Sequence, residues 1–155
     1  MKYNDDIVFV GHYELAYFEQ LKEIAKQAAP HGFNVKVFGS GWWRAKFKFN
    51  TCKNLIVKSG WISRDEMTRC YQHSKLAVAL YSSVNRNKTS GRIFELAALG
   101  VPFLVKPNKI IEENIIQYFS FDQIYSDKFW EEIKSNYSNI RHEFIVQSSK
   151  YERHS

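Results

Sequence analysis

Residues Thr89 to Val105 read TSGRIFELAALGVPFLV, and this is the most informative stretch of the chain. A short polar loop precedes an apolar helix that ends at a glycine, and an apolar strand follows directly. The first turn of a helix carries free N–H groups and a partial positive charge, so a loop of Thr89, Ser90 and Gly91 is suited to hold a phosphate. Glu95 lies one turn further on, where a carboxylate can accept hydrogen bonds from sugar hydroxyls. The stretch therefore predicts half of a nucleoside-diphosphate site.

Strand and helix patterns alternate along the rest of the chain. Five short apolar runs are predicted as strands: Ile7 to Val10, Val35 to Phe38, Leu55 to Val57, Leu76 to Tyr81 and Val101 to Val105. Ile124 and Tyr125 are a candidate for a short sixth strand. Because the strands are nearly all apolar, both faces of their sheet must be covered, as in parallel sheets. We predict one Rossmann-like α/β domain over residues 1–155, a three-layer sandwich with a mostly parallel sheet of five or six strands.

Apolar residues at helical spacing separate these strands. The segment from Tyr13 to Ala29 is predicted as the first helix. Ser63 is predicted to cap a short helix, with Glu66 at the capping-box position. Residues Phe129 to about Ser148 are predicted to form a closing helix or helix pair, so that residues 127–150 make a helical C-terminal segment.

Loops that contain glycine follow several of the predicted strands. They are Gly11-His12, Gly39-Ser40-Gly41-Trp42, Gly60-Trp61 and the loop from Asn85 to Gly91. The ligand crevice of an open parallel sheet lies outside the carboxyl ends of its strands, where these loops meet. We therefore predict a cleft at this edge that contains Gly11, Gly41, Trp61, Ser90, Gly91 and Glu95.

Composition limits the class of protein further. The chain has 155 residues and a formal net charge of +6, which fits an anionic ligand or membrane surface and is also ordinary for a globular protein. Cys52 and Cys70 have no metal-ligand spacing, and we expect free thiols in a reducing compartment. No apolar run is long enough to span a membrane, and the start of the chain lacks a signal-peptide pattern. We expect a cytoplasmic protein, with peripheral contact to the inner face of a membrane left open.

Several other chemistries lack their motifs in this sequence. The phosphate-binding pattern GxxxxGK[ST] of NTPases is absent, and no GxGxxG follows the first strand as in dinucleotide oxidoreductases. There is no GxSxG elbow of a serine hydrolase and no Asp-x-Asp metal pair. No metal site and no nucleic-acid partner are predicted.

The order of these pieces resembles a known family. It is similar to the C-terminal, nucleotide-sugar-binding domain of the GT-B glycosyltransferases, in the group 1 branch with the spore-maturation-type domain. The segments that carry the resemblance cover nearly the whole chain to about Val105. They are Ile7 to Gly11, Val37 to Trp42, Ser59 to Ile62, Met67 to Leu80 with Tyr71 and Ser74-Lys75, Gly91 to Glu95, and Gly100.

The resemblance implies a role for particular residues. Glu95 matches the glutamate that binds the ribose hydroxyls, and Ser90 and Gly91 match the loop whose amides meet the diphosphate. Trp61 and Ile62 match the loop that flanks the base. Gly11 and His12 match the first strand-helix loop, which lies near the phosphates, and Gly41 and Trp42 match the second such loop. The donor implied is a UDP- or GDP-sugar, used without a cofactor or a metal, and Arg92 and His12 are the predicted catalytic residues.

The sequence departs from the family pattern at two points. Many group 1 enzymes carry a second glutamate where this chain has Asn87. The basic residue expected in or just after the first loop is also missing, since that loop reads His12-Tyr13-Glu14-Leu15. The candidates for the missing positive charge are Arg44, Arg86, Lys88 and Arg92.

Plainer interpretations stay open for several of these residues. Glu95 and Arg92 could simply form an i, i+3 pair on a solvated helix, and His12 could be a surface residue. Trp42 and Trp61 could pack in the core or at an interface. The alternation from Arg44 to Phe49 fits a basic edge that faces a membrane as well as a half-solvated strand.

Three classes of function remain at this point. GT-B enzymes have two such domains, and the acceptor site and usually the catalytic base lie on the other one. The chain is thus expected to be a donor-binding domain that acts with an acceptor-binding domain or subunit and is inactive alone. The alternatives are a non-catalytic nucleotide-binding module and an interaction domain of the same fold.

Overall fold

The structure is a computed structural model that describes residues 6–45, 52–80, 91–113 and 117–152. Within these residues, six strands form one sheet: β1 (Asp6–Val10), β2 (Asn34–Gly39), β3 (Leu55–Ser59), β4 (Leu76–Val78), β5 (Phe103–Val105) and β6 (Phe119–Ser120). The described part of the chain also contains six α-helices: α1 (Leu15–Ala28), α2 (Arg64–His73), α3 (Gly91–Leu99), α4 (Lys109–Glu113), α5 (Asp127–Ser135) and α6 (Tyr137–Glu152). The predicted alternation of strand and helix is confirmed.

Every strand pair in the sheet is parallel, and the order of strands is β3-β2-β1-β4-β5-β6. All five residues of β1 are buried, although successive side chains point to opposite faces, so both faces of the sheet are covered. Helix α1 packs against β2 and β3, whereas α2 packs against β1. The predicted Rossmann-like fold is confirmed, and its sheet is entirely parallel.

The strand order reverses between β1 and β4. Chain order runs outward from β1 to β3 and then returns to β4 on the other side of β1. The crossovers on the two sides of such a reversal diverge and leave a crevice at the carboxyl ends of the two central strands. The fold therefore places its crevice beside the loop that follows β1 and the helix that follows β4, which is α3.

The helix α3 is closed by a Schellman motif. Gly100 has a φ of +68°, its N–H donates to Ala97 O at 3.2 Å, and the N–H of Val101 donates to Leu96 O at 3.2 Å. Val101 therefore belongs to the end of the helix, and β5 begins only at Phe103. The predicted strand from Val101 was two residues too long for this reason.

The predicted sixth strand at Ile124 and Tyr125 was wrong. Those residues lie in a 3₁₀-helix, Phe121–Tyr125, and the sixth strand is the pair Phe119–Ser120 just before it. Ser120 starts the helical turn by a capping box with Gln123. The indole N–H of Trp130 donates to Ile124 O at 2.8 Å and holds the turn against α5. Of the closing helix or helix pair that the sequence predicts, the structure has the pair, α5 and α6.

Candidate functional site

The loops after β1, β2 and β3 are joined by main-chain hydrogen bonds. The N–H of Gly11 donates to Phe38 O at 3.0 Å, and the N–H of Gly60 donates to Gly39 O at 2.9 Å. Gly39 has a φ of +142°, and a Cβ at this position would lie 2.0 Å from Gly11 O. Only glycine allows the first two loops to approach this closely. These loops form one wall of the crevice.

Trp42 supports that wall from the inside. Its side chain is fully buried, and its indole N–H donates to Gly11 O at 2.8 Å. The rings of Phe9 and Tyr13 pack edge-on against it. The predicted contact between Trp42 and a ligand is corrected here, because the apolar surface of the indole is used in the core. Gly41, which precedes it, turns the chain with a φ of +82°.

Two adjoining cavities occupy the crevice. We call these two cavities together the cleft. Their volumes are about 300 Å³ and about 370 Å³. Both are lined by Val10, Gly11, His12, Arg92 and Glu95. The first extends toward the end of β4, and the second extends along the loops after β2 and β3 to the start of α2. The second is also lined by Gly39, Ser40, Gly60, Trp61, Ile62, Ser63, Arg64 and Met67.

Glu95 and Arg92 face this cleft from the first turns of α3. Glu95 is 36% exposed, and its Oε2 lies 3.7 Å from Nη1 of Arg92. The Nη1 of Arg92 also contacts the sulfur of Met67 on α2. Glu95 thus points neither into the core nor away from Gly11, and the i, i+3 pair forms part of the cleft. The i, i+3 pair is therefore present, and ligand binding by Glu95 stays a prediction.

Arg64 belongs to the cleft although sequence reasoning did not single it out. Its Nη2 lies 3.3 Å from Oε1 of Glu95, and its side chain is 80% exposed. The predicted cap at Ser63 is confirmed, since Ser63 Oγ accepts the N–H of Glu66 at 3.1 Å. Arg64 is consequently the first residue of α2, next to the carboxyl end of β3. A basic residue after an N-cap at this sheet edge was the available signal.

His12 and Trp61 lie at the surface of the cleft. The Nε2 of His12 is 3.2 Å from Oε1 of Glu14, and the imidazole is largely exposed. Trp61 is 86% exposed, the most open of the large apolar side chains in the described residues. Ile62 lines the same cavity and is partly buried against the core. An exposed indole on a cavity wall offers a flat apolar surface for a ring.

Tyr71 lies beneath the cleft on α2. Burial raises the pKa of its hydroxyl to about 12, while the nearby Arg92 opposes that rise. The hydroxyl is therefore protonated throughout the neutral range. It accepts the N–H of Val10 at 3.2 Å.

Some predicted residues are not brought to the cleft by the described structure. Thr89, Ser90, Arg86 and Lys88 lie outside the described residues, and Gly91 is the first residue of α3. Arg44 lines neither cavity, and its guanidinium stacks on the exposed ring of Trp43 at 5.5 Å. Most of the basic and aromatic alternation after Arg44 is also outside the described residues.

The described residues contain neither a cluster of metal ligands nor a helix that could span a membrane. Among residues 6–45, 52–80, 91–113 and 117–152, no three His, Cys, Asp or Glu side chains converge as metal ligands would. In the same part of the chain, every helix is too short or too polar to cross a bilayer.

Comparison with known proteins identifies the family. Residues 17–145 match the family model described as glycosyl transferase-like. The chain belongs to the glycosyl transferase-like family. No curated protein matches it.

Solved glycosyltransferases share the fold of this glycosyl transferase-like chain. AviGT4, a glycosyltransferase involved in avilamycin A biosynthesis, has a TM-score of 0.62 at 13% identity over 99% of this chain and 50% of its own. Spinosyn rhamnosyltransferase SpnG, complexed with thymidine diphosphate, has a TM-score of 0.56 at 8% identity over 96% and 43%. A mutant of T4 phage BGT, in complex with UDP-glucose, has a TM-score of 0.52 at 16% identity over 97% and 47%.

These identities are low, so the likeness establishes the fold alone. The chain spans about half the length of the solved structures that it matches. The family match and the fold confirm the expected resemblance to the C-terminal Rossmann-like domain of a GT-B glycosyltransferase. The assignment to the spore-maturation-type branch stays a prediction.

Proposed function

We propose that this chain is the donor-binding domain of a glycosyltransferase and that its cleft binds a nucleoside-diphosphate sugar, with UDP and GDP as the expected nucleotides. One observation carries the proposal. In a chain of the glycosyl transferase-like family, the carboxylate of Glu95 opens into the crevice at the reversal of the strand order, beside Arg64 and Arg92. A surface carboxylate on a solvated helix would not share its cavities with the loop after β1.

Glu95 is proposed to bind the ribose. A carboxylate offers about four lone-pair positions on its two oxygens. Arg64 lies near one oxygen and Arg92 near the other, at 3.3 Å and 3.7 Å. Positions remain for two hydroxyl donors, and the arginines orient the carboxylate for them.

Arg92, Arg64 and the start of α3 are proposed to serve the diphosphate. When the bond between the sugar and the diphosphate breaks, its electron pair leaves with the phosphate oxygen, and negative charge builds there. Fixed positive groups lower the energy of that state, as a bound metal does in other enzymes. The loop of Thr89, Ser90 and Gly91 is proposed to donate main-chain N–H groups to the phosphates. We propose a metal-independent reaction on this basis.

His12, Trp61 and Ile62 are proposed to complete the donor site. His12 lines both cavities, and in its imidazolium form it can donate from Nε2 to Glu14 and from Nδ1 to the phosphate nearest the sugar. Trp61 and Ile62 line the cavity on the side of β3, where they can flank the base. The bound thymidine diphosphate of SpnG and the UDP-glucose of T4 phage BGT support this class of ligand.

Binding of UDP and GDP by the purified chain tests the proposal, with isothermal titration calorimetry as the measurement. Glu95→Ala should weaken binding by about 1.5–3 kcal/mol, as expected for hydrogen bonds to a charged group, or roughly ten- to hundredfold. Glu131→Ala is the control, because Glu131 is exposed on α5 and outside the cleft. It should bind as the unchanged chain does.

Absence of binding to every nucleoside diphosphate, or equal binding by the Glu95 and Glu131 variants, would contradict the proposal. Catalysis needs a second test, because the acceptor site is proposed to lie on another domain or subunit. With that partner present, Arg92→Ala should lower transfer far more than it lowers the melting temperature. Nucleotide binding without transfer by any partner would favour a non-catalytic binding module.

A further inference from the structure

Tyr71 lies below the cleft and contacts residues on both sides of it. It lies on α2 with only 1% of its surface exposed. Its hydroxyl accepts the N–H of Val10 at 3.2 Å, and its ring centroid lies 5.7 Å from the guanidinium carbon of Arg92. One side chain therefore contacts the end of β1 and the arginine of α3.

The hydroxyl of Tyr71 supplies a hydrogen-bond acceptor for β1 beyond the last residues that pair with β4. The parallel pairing of β1 with β4 ends at Val8 and Ala77, whereas pairing with β2 continues to Val10. Since alternate residues of a strand bond to opposite neighbours, and Gly11 donates to Phe38 of β2, the N–H of Val10 points toward the side of β4. The hydroxyl of Tyr71 accepts a hydrogen bond from that amide. Without the hydroxyl, the amide would be buried at the base of the crevice with no hydrogen-bond acceptor from β4.

The ring of Tyr71 and the sulfur of Met67 form one surface beneath Arg92. The two residues are four apart on α2 and thus share a helix face. Arg92 contacts both, and its other neighbour is the carboxylate of Glu95. A guanidinium against a buried aromatic ring is held in place more firmly than one in water, because cation–π attraction is stronger where water is excluded.

The main chain of Tyr71 is anchored as well. Ser74 Oγ donates to Tyr71 O at 2.7 Å, and Tyr137 Oη donates to Ser74 O at 3.0 Å. These bonds tie the end of α2 to α6. The side chain therefore projects toward the cleft from a fixed backbone.

We infer that Tyr71 is a positioning residue for the donor site: its ring orients Arg92, and through Arg92 the carboxylate of Glu95, whereas the hydrogen bond that its hydroxyl accepts from Val10 serves the stability of the fold. The inference rests on the proposed function. It assigns no contact between Tyr71 and the donor, so Tyr71 acts only through the residues that it touches.

A double-mutant cycle on UDP and GDP affinity tests the inference. Tyr71→Met should weaken binding roughly tenfold in the unchanged background, as expected for a desolvated cation–π contact. In the Arg92→Ala background the same change should alter affinity less than about twofold, since the group through which it acts is gone. Tyr71→Phe, which keeps the ring, should bind within about threefold of the unchanged chain. Tyr125→Leu, an exposed tyrosine away from the cleft, is the matched control.

A role in folding alone would give a different result, with Tyr71→Met weakening binding by the same factor in both backgrounds. That additivity, or unchanged binding by Tyr71→Met, overturns the inference. If the unchanged chain binds nucleotide and Glu95→Ala does not, while the Tyr71 variants bind normally, only this inference fails. If the unchanged chain binds no nucleotide, the proposed function fails and the inference falls with it.

A spectroscopic measurement covers the case in which Tyr71→Met does not fold. The Nε–H signal of Arg92, assigned by its loss in Arg92→Lys, should show an upfield ring-current shift in the unchanged chain and in Tyr71→Phe. The shift should persist when UDP is added. A signal without that shift in the UDP-bound chain overturns the inference, because the ring would then not hold Arg92.

Discussion

Gly39 allows the loops after β1 and β2 to approach each other closely. Its carbonyl accepts the N–H of Gly60, and its Cα faces the carbonyl of Gly11. Gly60 has the same φ of +142°, but a Cβ there would meet nothing within 4 Å. The two glycines thus share a conformation and differ in their surroundings.

We predict that Gly39→Ala destabilises the fold far more than Gly60→Ala does. Both alanines adopt an unfavourable φ, at a cost of about 1–3 kcal/mol. Only the first also collides with a backbone oxygen, which should add at least about 2 kcal/mol by forcing two loops apart. Urea unfolding of the two variants measures the difference. Equal losses would show that the contact between Gly39 and Gly11 does not constrain the loops.

Tyr71 should give the protein a distinct response to alkaline pH. Its pKa is raised from 10.0 to about 12 by burial, so below pH 10 the hydroxyl is protonated in both the folded and the unfolded chain. Between pH 10 and 12 the unfolded chain loses this proton first, and stability falls as the pH rises. At about 1.4 kcal/mol for each pKa unit, the loss attributable to Tyr71 is about 3 kcal/mol.

The variant Tyr71→Phe lacks this proton, so its unfolding free energy should fall less steeply over that range. It should be the less stable protein at pH 9, because the N–H of Val10 loses its partner, and the gap should narrow by pH 12. Chemical unfolding at several pH values measures both effects. Parallel curves for the two proteins would mean that the hydroxyl titrates in the folded chain as it does in water.

At the scale of elements, α2 connects the cleft to the C-terminal helix. Its start carries the Ser63 cap and Arg64, and its end is bonded to α6 through Tyr137. Arg141 is buried on α6 and donates to Tyr137 Oη at 3.1 Å and to Gln72 O at 3.3 Å. The position of α2 therefore depends on a buried polar contact far from the cleft residues.

We predict that Tyr137→Phe lowers the unfolding free energy by about 1–3 kcal/mol, because Ser74 O and Arg141 each lose a buried hydrogen-bond partner. Ser149→Ala is the matched control, since Ser149 lies on the same helix and its Oγ makes an exposed bond to Val146 O. It should change stability by no more than about 0.5 kcal/mol. Comparable effects of the two changes would show that the contact between α2 and α6 does not stabilise the fold.

At the scale of the whole molecule, the order of strands decides where the residues of the candidate site come together. The reversal between β1 and β4 brings the loop after β1 next to α3, although about 80 residues of chain separate them. The parallel arrangement brings the loops after β2 and β3 to the same edge. Positive charge from Arg64 and Arg92 meets one carboxylate there, which suits an anionic ligand that also carries hydroxyls.

The sequence by itself determined the alternation of elements, the glycines at the carboxyl ends of strands and the position of Glu95 on α3. These depend on periodicity and on bonds between residues a few positions apart, such as the cap at Ser63. The prediction of the sixth strand from local pattern was wrong, because two apolar residues do not distinguish a strand from one turn of helix. The loop of Thr89 and Ser90 and the basic edge after Arg44 stay predictions, since they lie outside the described residues.

Only the tertiary structure decided which side chains meet. Trp42 bonds to Gly11, Arg64 approaches Glu95, and Tyr71 lies under Arg92, and each contact joins residues more than 20 positions apart. Periodicity indicates that a side chain is buried or faces an edge, but it does not say which residue lies opposite. That is settled by the crossovers and the strand order, because they bring the ends of separate elements together at one edge of the sheet.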